Sequence, residues 1–188
     1  MQKHESGFTL IELMIALAVA AIVLTLGMPS FGRIMERNGL AVQVNDFISS
    51  LNYARSEAVK RKQNVVVCRS DTTVTPLNCN TGTGYEDGWL VYIDFDRDGS
   101  FDVGTDEIIW THDALKQGMQ FYGGGNYTNR IAFNAKGRST QNGSFTLCKD
   151  NDATKARVLV VDSGRVRLTA MGPNGKAEDS SGTELITC

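Results

Sequence analysis

Gly7-Phe8-Thr9-Leu10-Ile11-Glu12-Leu13 opens a run of 24 residues, 8–31, whose single charged side chain is Glu12. Coiled as an α-helix at about 1.5 Å per residue, the run reaches roughly 36 Å, longer than a bilayer core of about 30 Å. The residues before it are few and polar. Three readings compete for such a start. A secretory signal has a basic head, a short apolar stretch and a small-x-small cleavage site, and Ala18-Val19-Ala20 has that last form. The apolar run nevertheless continues through Ala21-Ile22-Val23-Leu24, with an acid inside it. A plain membrane anchor explains the length and leaves Glu12 without a purpose.

A carboxylate inside a spanning segment costs roughly 2.5–3.5 kcal/mol on insertion scales, so it marks a partner or a function. Cleavage between Gly7 and Phe8 supplies the partner of the third reading. The new amine would lie four residues before Glu12. Among parallel helices offset along their axis, the amine of one subunit meets the carboxylate of the next. Neither charge is then alone in lipid, and the pair sets the register between subunits. On these residues the start resembles the class III signal of type IV pilins and type II secretion pseudopilins. The resemblance implies removal of residues 1–7 by a prepilin peptidase, methylation of Phe8 and an assembly role for Glu12. It also implies a single-pass protein of the bacterial inner membrane with a periplasmic head. That subunit then passes through an inner-membrane assembly platform into a cell-surface pilus with other major and minor pilins.

The apolar helix extends beyond the membrane segment. Gly27 and Pro29 interrupt it, and a proline there removes a backbone donor and favours a kink or local melting. Leu40, Val44, Phe47, Ile48, Leu51, Ala54 and Ala58 then recur at three- and four-residue spacing, with Gln43, Asn45, Ser49, Asn52, Ser56 and Lys60 on the other side. This predicts a one-sided amphipathic helix ending near Lys62. Short strands follow at 64–69, 88–95, 107–111, 130–134, 144–148, 157–161 and 165–170, separated by clusters such as Gly123-Gly124-Gly125-Asn126. The expected fold class is α+β, a long N-terminal helix packed on an antiparallel sheet, which is the pilin architecture. The expected segments are a leader at 1–7, a transmembrane and assembly helix at 8–31, an amphipathic half at 32–62 and a β-rich head at 63–188.

At 188 residues and 20.5 kDa, with 41% hydrophobic and 21% charged residues, the chain is neither disordered nor of low complexity. The net charge of −2 argues against a strongly basic nucleic-acid protein, but the charge is segregated. Residues 86–113 hold nine acids against Arg97 alone, whereas 130–167 hold eight bases against three acids. The four cysteines have no CxxC pair and no histidine near them, which excludes a ready zinc site. They fit two disulfides in an exported head. Of the three connectivities, Cys68–Cys79 and Cys148–Cys188 is favoured, because it closes a short local loop and ties down the tail 171–187.

Tyr53-Ala54-Arg55-Ser56-Glu57-Ala58, Gly88-Trp89 and Gly164-Arg165-Val166-Arg167 make the whole chain similar to the GspH/FimT family of minor pilins and minor pseudopilins. Val158-Leu159-Val160-Val161 runs into a turn at Asp162-Ser163-Gly164, and Arg165 and Arg167, two apart on the strand leaving it, share a face. Two guanidinium forks on a rigid hairpin suit successive phosphates. Lys136, Arg138, Lys155 and Arg157 belong to the same basic stretch. Resemblance to FimT-type pilins implies contact with double-stranded DNA through this Gly-Arg-x-Arg pattern, for DNA uptake in natural transformation. The plain alternative makes the arginines solvated residues, or pairs them with Asp162 or a neighbouring subunit. The machine stays open between a type IV pilus, with a minor subunit priming or decorating the filament, and a type II secretion system, with an H-type pseudopilin. A singly anchored calcium-binding or receptor module is a third reading.

Asp94-Phe95-Asp96-Arg97-Asp98-Gly99 has the acid spacing and the sixth-position glycine of a calcium loop, with Asp102 at position nine. Position twelve is Thr105, followed by Asp106 and Glu107, Arg97 lies inside the loop, and a strand precedes it. A solvated Asp-rich turn reads the same way, so no cofactor is required and calcium is an option. No catalytic motif is present. His112-Asp113 is a chance pair at a strand end, and no catalytic residues are assigned.

Overall fold

The computed structural model describes residues 9–79, 82, 84–178 and 188. Helix α1 spans Leu10–Arg61. The chain divides between Gly39 and Leu40 into two compact units. Helix α1 is continuous through Gly27 and Pro29, so of the kink or local melting expected there the melting does not occur. A proline withdraws one N–H, and the turns on either side carry the ladder past it.

Eight strands follow: β1 Asn64–Arg69, β2 Trp89–Asp94, β3 Glu107–His112, β4 Met119–Gly125, β5 Arg130–Phe133, β6 Gly143–Lys149, β7 Asp152–Asp162 and β8 Arg165–Leu168. They make two four-stranded sheets, β3-β2-β1-β5 and β4-β6-β7-β8, with every strand pairing antiparallel. The α+β class and the long helix on antiparallel strands hold. A single sheet does not, and β4 is an unexpected strand. Its Gly123-Gly124-Gly125 reads as a turn in sequence but pairs with Phe145, Ser144 and Gly143. A Cβ on Gly123 would lie 1.8 Å from the Tyr127 carbonyl oxygen, so the returning backbone passes where a side chain would be.

The predicted stripe on α1 is buried at Leu40, Val44, Phe47, Leu51, Ala54 and Ala58, and Ile48 packs against the same core. Phe47 is its hub. Its ring meets Tyr85, Trp89, Phe121 and Phe145 at centroid distances of 5.5, 5.1, 4.6 and 4.7 Å, all edge-on. Ser50 is the polar exception on this face. Its hydroxyl accepts the Trp89 indole N–H at 3.0 Å and donates to the Asp46 carbonyl, so the burial leaves no orphan.

A bulge in β3, between the partners of Val91 and Tyr92, brings Glu107, Trp110 and His112 to the side facing α1. Three contacts then follow the helix axis: Arg61 Nη1 to Glu107 Oε2 at 3.4 Å, Tyr53 on Trp110 at 5.3 Å, and His112 Nε2 to Asp46 Oδ2 at 3.8 Å. Both disulfides form as favoured, Cys68–Cys79 and Cys148–Cys188, with Cα separations of 5.6 and 6.2 Å.

Candidate nucleic-acid interface

Ser163 and Gly164 form the two-residue turn between β7 and β8, with φ of 50° and 87°. Positive φ at both positions is the twist a tight hairpin needs, and Asp162 faces Arg165 across it. Gly164 is buried, and a Cβ there would meet the Gly137 carbonyl oxygen at 2.5 Å. Gly137 sits in a second turn, closed by its N–H on the Asn134 carbonyl at 2.8 Å. The Asn134 carboxamide oxygen accepts the amides of Lys136 and Arg138. A Cβ on Gly137 would in turn strike Val59 and Arg55 of α1. Two glycines thus let the helix and two turns interlock.

A shallow groove of about 490 Å³ opens over this junction, lined by Arg55, Lys136, Arg138, Asp162, Ser163 and Arg165. Four cations face one carboxylate, and Ser163 Oγ donates to that carboxylate at 3.1 Å. Among the described residues the side chains of Lys136, Arg138, Arg165 and Arg167 have no hydrogen-bond or ion-pair partner, Asp162 included. Arg167 pairs with Val160 and continues the Arg165 face of β8. Arg157 and Lys155 do not line the groove. On β7 Arg157 shares the parity of Leu159 and Val161, whose side chains are in the core, and Lys155 lies in the register shift opposite Leu147 and Lys149. Arg157 bonds the Ala156 carbonyl and Met171, and Lys155 lies 3.9 Å from Asp152. In the sequence Arg55 stands within the Tyr53–Ala58 signature, with no spacing that ties it to the basic stretch. The fold makes it a groove residue, its Nη1 donating to the Gly164 carbonyl oxygen at 3.1 Å.

The acidic loop closes on its own backbone. Asp94 is buried, and its two oxygens accept the amides of Arg97 and Gly99 at 2.7 and 3.1 Å. Burial raises its pKa, and those two amides partly offset the rise. Asp98 accepts from Ser100, and Asp106 accepts from Phe95 and Asp102. Oxygens of Asp94, Asp96 and Asp106 lie within 4.8 Å of one another, as do those of Asp96, Asp98 and Asp102. Lost hydration, then the charges of Asp98, Asp96 and Asp106, raise Asp102. Hard carboxylate oxygens are the donors calcium takes, and the late residue whose oxygen lies among them is Asp106 and not Thr105.

At the start of α1 Thr9 and Glu12 bond reciprocally. Thr9 Oγ1 accepts the Glu12 amide at 3.3 Å, while Glu12 Oε2 accepts the Thr9 amide and hydroxyl, both at 3.0 Å. This is a capping box at the start of α1. Gly7 and Phe8 lie outside the described residues. Leu10, Ile11, Leu13, Met14, Ile15, Leu17, Val19, Ile22, Val23 and Leu24 are all exposed in the single chain. Among the described residues no helix is long and apolar enough to cross a membrane.

The family described as type II transport protein GspH matches residues 43–164, the helix half and most of the head. The chain belongs to the GspH family. Residues 2–28 match the prokaryotic N-terminal methylation motif, which covers Gly7, Phe8 and Glu12. Two crystal structures of the Pseudomonas aeruginosa type IV minor pilin FimU, in different space groups, share the fold. One has 21% identity and a TM-score of 0.57 over 77% of this chain and 96% of that one. The other has 20% identity and a TM-score of 0.50 over 71% and 92%. Comparison with curated proteins finds no match. The chain is therefore a pilin-type subunit of the type IV pilus and type II secretion class, a structural family, and association with other pilins and with the prepilin peptidase comes with it.

Proposed function

We propose that this GspH-family chain is a minor pilin of a type IV pilus, anchored in the inner membrane by its first helix until assembly, and that its head contacts double-stranded DNA. The observation that carries the reading is the groove at the β7–β8 turn. Lys136, Arg138 and Arg165 converge there from two separate segments without an internal partner, and Arg167 extends the line. Unpaired guanidinium forks held on a tight hairpin recognise phosphate by charge and by geometry, and read no sequence. The nine acids of residues 86–113 bring the whole molecule near neutral, so the attraction for phosphate comes from the groove and not from the net charge.

The test is a titration of the full chain, purified in uncharged detergent, with a labelled DNA duplex at two salt concentrations. Each phosphate contact adds about 0.9 to the slope of log K against log salt. The reading predicts steep weakening with salt, a shallower slope for Arg165→Ala/Arg167→Ala, and tighter binding for Asp162→Asn. Absence of binding at low salt would end it and leave the groove as a contact between subunits, in a pilus or a secretion pseudopilus.

A further inference from the structure

We infer that Arg55 is a positioning residue of the phosphate groove, fixing the β7–β8 turn so that Arg165 points where Lys136 and Arg138 already point. The inference rests on the DNA-contact reading and adds to it a residue from a different part of the chain. Three observations carry it. Arg55 Nη1 donates to the Gly164 carbonyl oxygen at 3.1 Å, across 109 residues of sequence. That carbonyl belongs to the residue directly before Arg165, so the bond acts on the peptide plane from which Arg165 departs. Finally, Arg55 is half-buried and pressed against Gly137, the glycine of the turn that carries Lys136 and Arg138.

One guanidinium thus touches both cationic turns from a rigid helix. The turn it holds needs such a clasp. Ser163 and Gly164 are both in left-handed backbone, and β8 is a four-residue strand at the edge of its sheet with one neighbour, β7. A short edge strand opens readily, and a charged donor on a turn carbonyl opposes that opening. The planar fork is what allows one nitrogen to bond Gly164 while the rest of the group lines the groove.

The experiment has two arms on the full chain in detergent. In the first, amide hydrogen exchange at residues 163–165 is compared between the parent and Arg55→Ala, without DNA. Faster exchange confined to the turn is expected; unchanged exchange overturns the clasp. The second is a double-mutant cycle on DNA affinity. Arg165→Ala should weaken duplex binding about tenfold in the parent and less than about threefold in the Arg55→Ala chain, because the second arginine is already misplaced. Equal losses in both backgrounds would show that Arg55 acts independently and overturn the inference while leaving DNA contact intact. A parent chain that fails to bind DNA would instead overturn the reading on which it rests.

Discussion

Glu12 accepts two hydrogen bonds from Thr9, from its amide and its hydroxyl, and so closes the first turn of α1 within its own chain. The same carboxylate is the one charge in the apolar run 8–31. The assembly role proposed for Glu12 would therefore compete with a local partner, and a neighbouring amine would have to draw Glu12 from the capping box or share it. Because the box only shapes the end of the helix, Glu12→Ala should leave membrane insertion at the parent level. The variant should be missing from the sheared filament fraction. Fractionation followed by immunoblotting checks both, and normal incorporation would remove the assembly role.

Glu57 braces the far end of the helix. Its buried carboxylate accepts Arg61 Nε at 2.6 Å and Lys60 Nζ at 3.2 Å, and Arg61 reaches on to Glu107 of β3. Hydrogen bonds from Arg61 and then Lys60 hold its pKa below the ordinary glutamate value. A carboxyl lowered on folding stabilises the fold above its unfolded pKa, near 4.3, and loses that contribution as pH falls through the folded value. Glu57→Gln should therefore lower Tm at pH 7, and the gap to the parent should close in acid. A gap that is constant with pH would mean that the charge is irrelevant.

Gly123 lies in β4 because nothing larger fits beside the Tyr127 carbonyl. Gly123→Ala should cost about 1–3 kcal/mol in denaturant unfolding, as overpacking does. Gly124→Ala is the control. Its Cβ would meet the Ser144 hydroxyl oxygen at 3.2 Å, a group that can rotate away, and the Ser144 carbonyl oxygen at an ordinary contact distance of 3.7 Å. Equal losses would mean that strand propensity, and not the Tyr127 backbone, sets the cost.

The acidic loop is closed by its own amides, so chelation should leave the melting temperature of the full chain unchanged. Thermal melts with and without a calcium chelator decide this. A drop reversed by added calcium would make Asp94, Asp96, Asp98, Asp102 and Asp106 a working cation site.

What could be read from the residues divides along physical lines. The helix stripe from Leu40 to Ala58 and the strand β1 were legible, because periodicity and β-branched runs are local signals. The turn at Ser163-Gly164 was legible for the same reason. Strand β4 was not, since three glycines carry no side-chain pattern and become a strand only through β6. Linear counting groups Lys155 and Arg157 with the groove, but the two-residue alternation of β7 turns Arg157 away from it and Lys155 lies in the register shift against β6. Arg55 could not be placed there by spacing, because only the packing of α1 against the β7–β8 turn brings the two together. Its position in a run matched by the family was the one signal that pointed to it.

The assembly role proposed for Glu12 presupposes that the mature subunit begins at Phe8, with its amine free to meet a neighbouring Glu12. Intact-mass measurement of the full chain, extracted from membranes of cells with an active prepilin peptidase, tests this directly. The account predicts a polypeptide that starts at a methylated Phe8, with residues 1–7 gone. A chain that still carries those seven residues would contradict it.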